Sequence, residues 1–274
     1  MLSDMRSRHV ACCSWSLQAH NPAELAFMVE QCDLQSVQLE LLPLANQSSW
    51  IDTSSILSDH GITVLSGMLA ATGEDYTTLE SIARTGGLRQ DAMWSSTLEN
   101  AISVADIAAS MALPLVTFHA GFVPESDCQE RTKMLGRLQP LAEEFGSRNI
   151  LLGLETGQEC AENVVSILEE LNHPHLGVNY DPANMILYGK GNPIEAIKTL
   201  RPWVQQVHIK DAKETTKGGT WGTEVAVGQG DVPWEEFLQL VPDKIDLVIE
   251  REGGDARIED IRQAKKLIEE LGAC

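Results

Sequence analysis

Four ionisable side chains stand at the ends of four successive apolar runs in the second half of the sequence. These runs end on Glu155, Asp181, His208 and Glu250. Short apolar runs of this kind are typical of strands that are buried on both faces, as in a parallel sheet. Because the carboxyl ends of the strands in a parallel barrel meet on one face, we expect the four side chains to converge there.

Three carboxylates in one small cleft raise one another's pKa unless a counter-charge is present. A divalent cation supplies that charge, and we predict that Glu155, Asp181, His208 and Glu250 bind one metal ion. Three carboxylates and one imidazole favour Mn²⁺, Mg²⁺ or Co²⁺ and are compatible with Zn²⁺. A single acid at a strand end is more often a surface or capping group, so the prediction depends on the four occurring in succession.

Three more side chains near strand ends are candidates for binding a substrate. His119 follows the fourth apolar run and either contacts substrate or packs as a hydrogen-bonded histidine. Glu40 lies near the end of the second run and either accepts a substrate hydroxyl or has a structural partner. Lys210 either holds a substrate phosphate or pairs with Asp211 or Glu155.

The elements that would position these residues alternate between strands and helices. Two segments begin with the same helix-start signal, an asparagine followed by proline and, three residues on, a glutamate, at Asn21 and Asn192. Eight strand–helix units in 274 residues predict a (β/α)₈ TIM barrel that forms a single domain over residues 1–274. An open doubly wound sheet is disfavoured, because residues 14–18 lack the glycine-rich turn of that fold. The predicted strands are residues 9–14, 36–41, 63–70, 115–119, 150–155, 176–181, 204–209 and 245–250.

The composition of the chain disfavours some classes of binding partner and some cellular locations. The net charge of −20 disfavours a nucleic-acid partner, and no apolar run is long enough to predict a membrane helix. Residues 1–8 show no apolar stretch of a signal peptide, so we expect a cytoplasmic protein. The six cysteines, of which Cys12 and Cys13 are adjacent, form no CxxC motif and are expected to be reduced. Homo-oligomerisation is left open.

Several segments resemble the xylose-isomerase-like barrel family of sugar-phosphate isomerases and epimerases. The closest match is the run GVNYDPANM at residues 177–185, and residues 152–156, 207–212, 227–234 and 248–250 are also similar to it. The resemblance implies that Glu155, Asp181, His208 and Glu250 are the ligands of a single metal ion. It further implies that Glu155 and Glu250 are the acid–base pair.

This resemblance implies a metal-dependent isomerase or epimerase that acts on a sugar or sugar phosphate through an enediolate. Relatives often have a histidine three residues after the aspartate of strand six, where this chain has Asn184. Asparagine can bind a substrate hydroxyl but is a poor metal ligand. The Lys210-Asp211 pair stands where relatives with two metals have extra aspartates, which disfavours a second ion.

Three alternatives on the same barrel remain. A dehydratase of cyclitols or keto-sugars would share the metal and the enolate step, and a non-catalytic member would only bind sugar. An apurinic-site endonuclease is disfavoured by Asn184, by the missing histidine after Asp211 and by the acidic charge. The loops at 71–96 and 213–231 are expected to determine the substrate. The second loop has five glycines and is either a lid that closes on substrate or a fixed turn.

Overall fold

A closed barrel of eight parallel strands forms the centre of the molecule. The computed structural model describes residues 8–217 and 219–273. The barrel closes because the first strand pairs with both the second and the last, with Cys12 opposite Val37 and Ala11 opposite Val248. This confirms the predicted TIM barrel and excludes an open doubly wound sheet. In chain order the strands are β1 (Val10–Cys13), β2 (Ser36–Glu40), β3 (Thr63–Met68), β4 (Leu115–Phe118), β5 (Leu151–Glu155), β6 (Leu176–Tyr180), β7 (Val204–Ile209), β8 (Asp211–Lys213), β9 (Thr223–Val225) and β10 (Asp246–Ile249).

Helices between the strands cover the outside of the barrel. Two of them begin as the sequence predicts. Asn21 accepts a hydrogen bond from the backbone N–H of Glu24, and Asn192 accepts from that of Ile194, with a proline in the first turn of each helix. The described helices are α1 (Ser14–Leu17), α2 (Pro22–Gln31), α3 (Leu42–Asn46), α4 (Thr53–Asp59), α5 (Leu79–Thr85), α6 (Trp94–Ser110), α7 (Gln129–Gly146), α8 (Ala161–Leu171), α9 (Pro182–Leu187), α10 (Pro193–Leu200), α11 (Trp234–Leu240) and α12 (Arg257–Glu270), with 3₁₀ turns at Ser48–Trp50, Asp91–Met93 and Arg201–Trp203.

The inside of the barrel carries a polar layer, although barrel interiors are usually filled by branched apolar residues. Gln38 donates to Thr117 Oγ1 (2.8 Å), and Gln206 donates to Gln38 Oε1 (3.0 Å) and Asn179 Oδ1 (3.2 Å). Ser66 donates to Gln206 Oε1. Five strands contribute to this buried network. Because every member is hydrogen-bonded, the layer can fix the orientation of a side chain that lies against it.

The segment after β7 contains a hairpin where the sequence predicts only a loop. Strands β8 and β9 pair antiparallel, with Asp211 opposite Val225. The buried Asp211 carboxylate holds the return of the hairpin, because its Oδ2 accepts from Gly228 N, Gly230 N and the Trp234 indole at 2.9–3.1 Å. The glycine at 230 is required, since a Cβ there would lie 2.1 Å from Asp211 Oδ1. The last part of the predicted loop is therefore anchored.

Two expectations from the sequence, reduced cysteines and no membrane helix, can be compared with the structure. Cys12, Cys13 and Cys32 are buried free thiols, whereas Cys128 is exposed and Cys160 is half-buried and free. Cys274 and residues 1–7, which include most of the segment expected not to be a signal peptide, lie outside the described residues. Along the described chain, the apolar stretch that a helix would need to cross a bilayer is absent.

Candidate metal centre

Four side chains converge at the carboxyl ends of β5, β6, β7 and β10. Glu155, Asp181, His208 and Glu250 are all buried, and one ligand atom from each lies within 4.8 Å of the other three. The strand ends bring them together because β5, β6, β7 and β10 are consecutive neighbours around the barrel. The convergence that the sequence predicts is therefore present in the structure.

Three atoms of these residues are buried without a hydrogen bond from the described part of the chain. They are His208 Nδ1, Asp181 Oδ2 and Glu250 Oε2, of which the last has only the ion pair with Lys210 Nζ at 2.9 Å. His208 Nδ1 lies 3.8 Å from Asp181 Oδ2, 3.5 Å from Glu155 Oε1 and 3.4 Å from Glu250 Oε2. Buried polar atoms without partners are costly, and native proteins rarely leave them so. A divalent cation held by these four residues would satisfy all three atoms, so the donor set fits the ion.

The polar layer beneath the site orients the histidine. His208 Nε2 lies 2.8 Å from Gln38 Oε1, an atom that can only accept. Asn179 Nδ2, an atom that can only donate, lies 3.1 Å from the same Nε2. The shorter contact with Gln38 favours a proton on Nε2, which in a neutral ring leaves the lone pair on Nδ1, facing the three carboxylates. Partners of this kind fix the tautomer of metal-binding histidines. Gln38 is not among the residues predicted from the sequence, although a glutamine inside a predicted buried strand is a detectable signal.

Asp181 occupies two roles at the end of β6. Its Oδ1 accepts from the backbone N–H of Asn184, which caps the N-terminus of α9. Its other oxygen, Oδ2, points to His208. Burial raises the pKa of this carboxyl to about 7, against the opposing effect of Lys210. A cation at Oδ2 would favour the charged form.

Glu155 is surrounded by donors. Its Oε1 lies 3.2 Å from His119 Nε2 and 3.1 Å from Asn184 Nδ2, and its Oε2 lies 3.3 Å from Asn179 Nδ2. Burial opposes its charge, but His119 and His208 outweigh burial and hold the pKa of Glu155 well below its usual range. Burial also acts to lower the pKa of His119, yet Glu155 raises it to about 9. Two of the predicted substrate-binding residues, His119 and Asn184, thus orient Glu155.

Glu250 is held from two other sides. The Trp15 indole N–H donates to Oε1 (2.7 Å), and Lys210 Nζ lies 2.9 Å from Oε2. Burial acts to raise the pKa of Glu250, but Lys210 and His208 bring it down to about 2. Glu250 is therefore charged at neutral pH.

Lys210 has other partners than the sequence suggested. It pairs with Glu250 and with Glu252, whose Oε2 lies 2.5 Å from Nζ, and not with Asp211 or Glu155. Asp211 is unavailable because its carboxylate binds backbone N–H groups of the hairpin. For the same reason Asp211 cannot serve as a ligand of a second metal ion.

A pocket of about 250 Å³ opens above the four converging side chains. Its size is just below the range of about 300–1,000 Å³ for drug-sized ligands, which suits a smaller molecule. Glu40, His119, Asn184 and Lys210, the four predicted substrate-binding residues, all line it. Both loops that were expected to determine the substrate contribute to its wall. The lining that sequence reasoning missed consists mainly of Met68, Leu69, Ala70, Glu74, Tyr76, Phe118, Leu187, Tyr188 and Glu252.

Comparison with protein families agrees with this geometry. The family model described as xylose isomerase-like TIM barrel matches residues 29–272. An uncharacterized Escherichia coli protein, YihM, is 38% identical over 79 residues, which are 28% of this chain and 24% of that protein. A 3-dehydroshikimate dehydratase from Bacillus anthracis is 26% identical over 131 residues, 42% of this chain and 46% of that protein. The matches thus span less than half the length of these curated relatives.

Solved structures share the whole fold. A xylose isomerase domain protein from Planctomyces limnophilus is 29% identical with a TM-score of 0.83, and the match covers 97% of this chain and 96% of that one. A xylose isomerase-like protein from Mycobacterium smegmatis in complex with magnesium is 16% identical, with a TM-score of 0.73 and 97% of both chains covered. D-psicose 3-epimerase from Clostridium cellulolyticum, with D-tagatose, is 12% identical, with a TM-score of 0.71 and coverage of 97% and 100%. At these last two identities the likeness concerns the fold. The chain belongs to the xylose isomerase-like TIM-barrel family.

Proposed function

We propose that the protein is a divalent-metal-dependent isomerase or epimerase of a small sugar, with Glu155, Asp181, His208 and Glu250 as the ligands of one ion. The observation that carries the proposal is the convergence of three buried carboxylates and the free Nδ1 of His208 beneath a small pocket. Mn²⁺, Mg²⁺ or Co²⁺ suits this mostly oxygen donor set, and Zn²⁺ is compatible with it. When bound, the ion would polarise the carbonyl and hydroxyl oxygens of the sugar and stabilise the charge of an enediolate.

Glu155 and Glu250 are the proposed acid–base pair. They stand on β5 and β10, which are three strands apart around the barrel, so they approach the pocket from different sides. One carboxylate takes the proton from the carbon beside the carbonyl, and the other returns a proton on the opposite side. His119 contacts Glu155 and is open to the pocket, so it gives a proton on Glu155 a route towards solvent.

A dehydratase is the second candidate. Its support is the stretch of 131 residues that is 26% identical to a 3-dehydroshikimate dehydratase. Dehydration would use the same proton abstraction and then expel a hydroxyl group, with a carboxylate or His119 as the proton donor. The two candidates therefore differ in the fate of the enolate and not in how it forms.

Metal analysis and isotope exchange test the proposal together. Protein purified without chelator should contain one divalent ion per chain. With added Mn²⁺ in deuterated water, a panel of ketoses and aldoses, together with 3-dehydroshikimate, is followed by NMR. The proposed function predicts deuterium at one carbon next to the carbonyl of a sugar, without loss of water. Loss of water from a substrate would favour the dehydratase. Two or more ions per chain at full occupancy would contradict the single-metal site.

A further inference from the structure

We propose that the substrate is an uncharged polyhydroxy carbonyl compound, one that carries neither a phosphate nor a carboxylate. This inference rests on the proposed function, since it names the substrate class of the same pocket. The arrangement of charges around that pocket carries it.

Lys210 is the only lysine or arginine that lines the pocket among the residues the structure describes. Its ammonium group is buried and is shared between Glu250 Oε2 at 2.9 Å and Glu252 Oε2 at 2.5 Å. A phosphate that approached Lys210 would have to displace one of these carboxylates or lie beside it. The lysine is therefore neutralised before any substrate arrives.

Two arginines in the segment that follows β10 have their partners outside the pocket or on the backbone. Arg251 follows Glu250 directly, but its guanidinium binds Glu224 and Asp260, each at 2.8 Å. Arg257 donates to the backbone oxygens of Ser16 and Glu252. Neither arginine lines the pocket, so the bidentate geometry with which arginine binds phosphate or carboxylate is not offered there.

Carboxyl groups outnumber cations in the pocket even with a divalent ion in place, although burial raises the pKa of Glu40 and Glu74. The three ligand carboxylates exceed the charge of a divalent ion by one, and Lys210 offsets that excess. Glu40, Glu74 and Glu252 also line the pocket, and a protonated His119 would compensate only one of them. An anionic substrate would thus meet uncompensated negative charge at short range, on a chain whose net charge is −20.

Groups that recognise neutral hydroxyls are present on the same walls. The side chain of Glu40 makes no hydrogen bond or ion pair within residues 8–217 and 219–273, so both of its oxygens can accept from a hydroxyl group. On another wall, Glu74 Oε1 already accepts from the backbone N–H of Gly87, which fixes the carboxylate in place. Trp221 packs against Tyr188 with ring centroids 4.9 Å apart and provides an apolar surface for the carbon face of a sugar.

Matched pairs of ligands test this inference. Each ketose of the exchange panel is compared with its own terminal phosphate ester, and a neutral polyol is compared with its phosphate by calorimetry on the metal-loaded protein. We expect kcat/KM for the neutral ketose to exceed that of the ester by at least about 100-fold. We expect the polyol to bind at least about tenfold more tightly than its phosphate.

Charge-removing variants show whether the pocket causes the preference. Glu252→Gln frees Lys210 Nζ from one carboxylate, and Glu74→Gln removes a second negative charge. Each substitution should reduce the difference in affinity between the polyol and its phosphate by about tenfold. Glu236→Gln removes the same charge from an exposed position on α11 and should leave the difference unchanged. An equal effect of all three variants would overturn the assignment to the pocket.

The outcomes separate this inference from the proposed function. If a phosphate ester exchanges deuterium as fast as its neutral partner or faster, the inference is wrong and the proposed function stands. If neither member of any pair exchanges while one ion per chain is bound, the proposed function fails, and the inference fails with it.

Discussion

At the scale of single residues, Glu155 and Glu250 have two proposed roles that one substitution can separate. Glutamine keeps the shape of the side chain and an oxygen for the metal, but it cannot accept a proton. We expect Glu155→Gln and Glu250→Gln each to lose on the order of 10²–10⁴-fold in kcat, the usual contribution of a positioned acid or base. The loss should persist at saturating Mn²⁺, with occupancy verified by metal analysis.

The two mutants should also differ from each other. In a mechanism with two bases, one variant should still exchange the substrate proton with solvent on one face, and the other should not. Glu162→Gln, an exposed change in the first turn of α8, serves as the control. Near wild-type turnover of both variants with extra metal would mean that the carboxylates are ligands only.

Gln38 contacts the proposed ligand His208 but supplies no ligand atom itself. Its substitution should therefore lower the affinity for the metal ion through His208. Gln38→Met removes the acceptor that lies 2.8 Å from His208 Nε2 and leaves that buried N–H without its partner. Loss of such a supporting contact typically weakens metal binding by 10–100-fold. Titration of Mn²⁺ into apoprotein measures this. Gln205→Met is the matched control, since the Gln205 amide donates to Trp203 O and has no contact with His208. Equal Mn²⁺ affinity of the two variants would contradict the supporting role.

The sequence predicted the converging residues better than the residues around them. Glu155, Asp181, His208 and Glu250 end buried strands, and the geometry of a parallel barrel determines where strand ends meet. Glu74 and Glu252 lie in loops after strand ends, where the path of the backbone depends on tertiary contacts such as the bond from Gly87 N to Glu74. Periodicity carries no information about such contacts.

At the scale of elements, all eight predicted barrel strands are confirmed, whereas the β8–β9 hairpin was missed. The barrel strands are short runs in which buried apolar residues recur, and that signal is local. The hairpin strands have three residues each, and they are held by the Asp211 carboxylate, which accepts from Gly228 N and from the Trp234 indole, 17 and 23 positions further on. A contact at that separation leaves no periodic pattern in the sequence.

The same carboxylate allows a test of how the hairpin is held. In Asp211→Asn one accepting oxygen becomes an NH₂ group that faces N–H donors, so several hydrogen bonds are lost whichever way the amide turns. We expect a loss of about 3 kcal/mol in stability, or roughly 6–12 °C in Tm, by thermal unfolding. Asp231→Asn is the control, because among the described residues exposed Asp231 accepts a hydrogen bond from Glu214 N alone. The prediction fails if the two variants unfold at the same temperature.

At the scale of the whole molecule, the barrel has an apolar outer core and a polar inner layer that reaches the candidate metal centre. The helices bury the outer faces of the strands, while Gln38, Asn179 and Gln206 link three strands inside the barrel. Opening any of these strands would break hydrogen bonds that are cut off from water, which is costly. The candidate metal centre thus lies against a buried and hydrogen-bonded layer of the barrel.

A buried carboxyl outside that centre should make global stability depend on pH. Glu159 is buried behind β5, where its Oε1 accepts from Val123 N, and burial raises its pKa to about 7. The folded protein therefore holds this proton more tightly than the unfolded chain, in which a glutamate titrates near pH 4.3. Its contribution to the free energy of unfolding is fully present below that value and declines as the pH rises to about 7. Over this interval the decline amounts to about 4 kcal/mol.

Substitution by a neutral side chain isolates this effect from other titrating groups. Glu159→Gln keeps an oxygen for Val123 N but cannot ionise, so it carries no buried charge at any pH. Relative to wild type, its Tm should rise by several degrees between pH 5 and pH 8, because only the wild-type protein must keep a buried carboxylate at the higher pH. Glu162→Gln removes a charge from an exposed site three residues along the chain, and its Tm difference from wild type should be the same at both pH values. A Glu159→Gln difference that stays constant with pH, or that reverses, would show that Glu159 is ionised at low pH in the folded state, held by donors stronger than the single backbone bond from Val123.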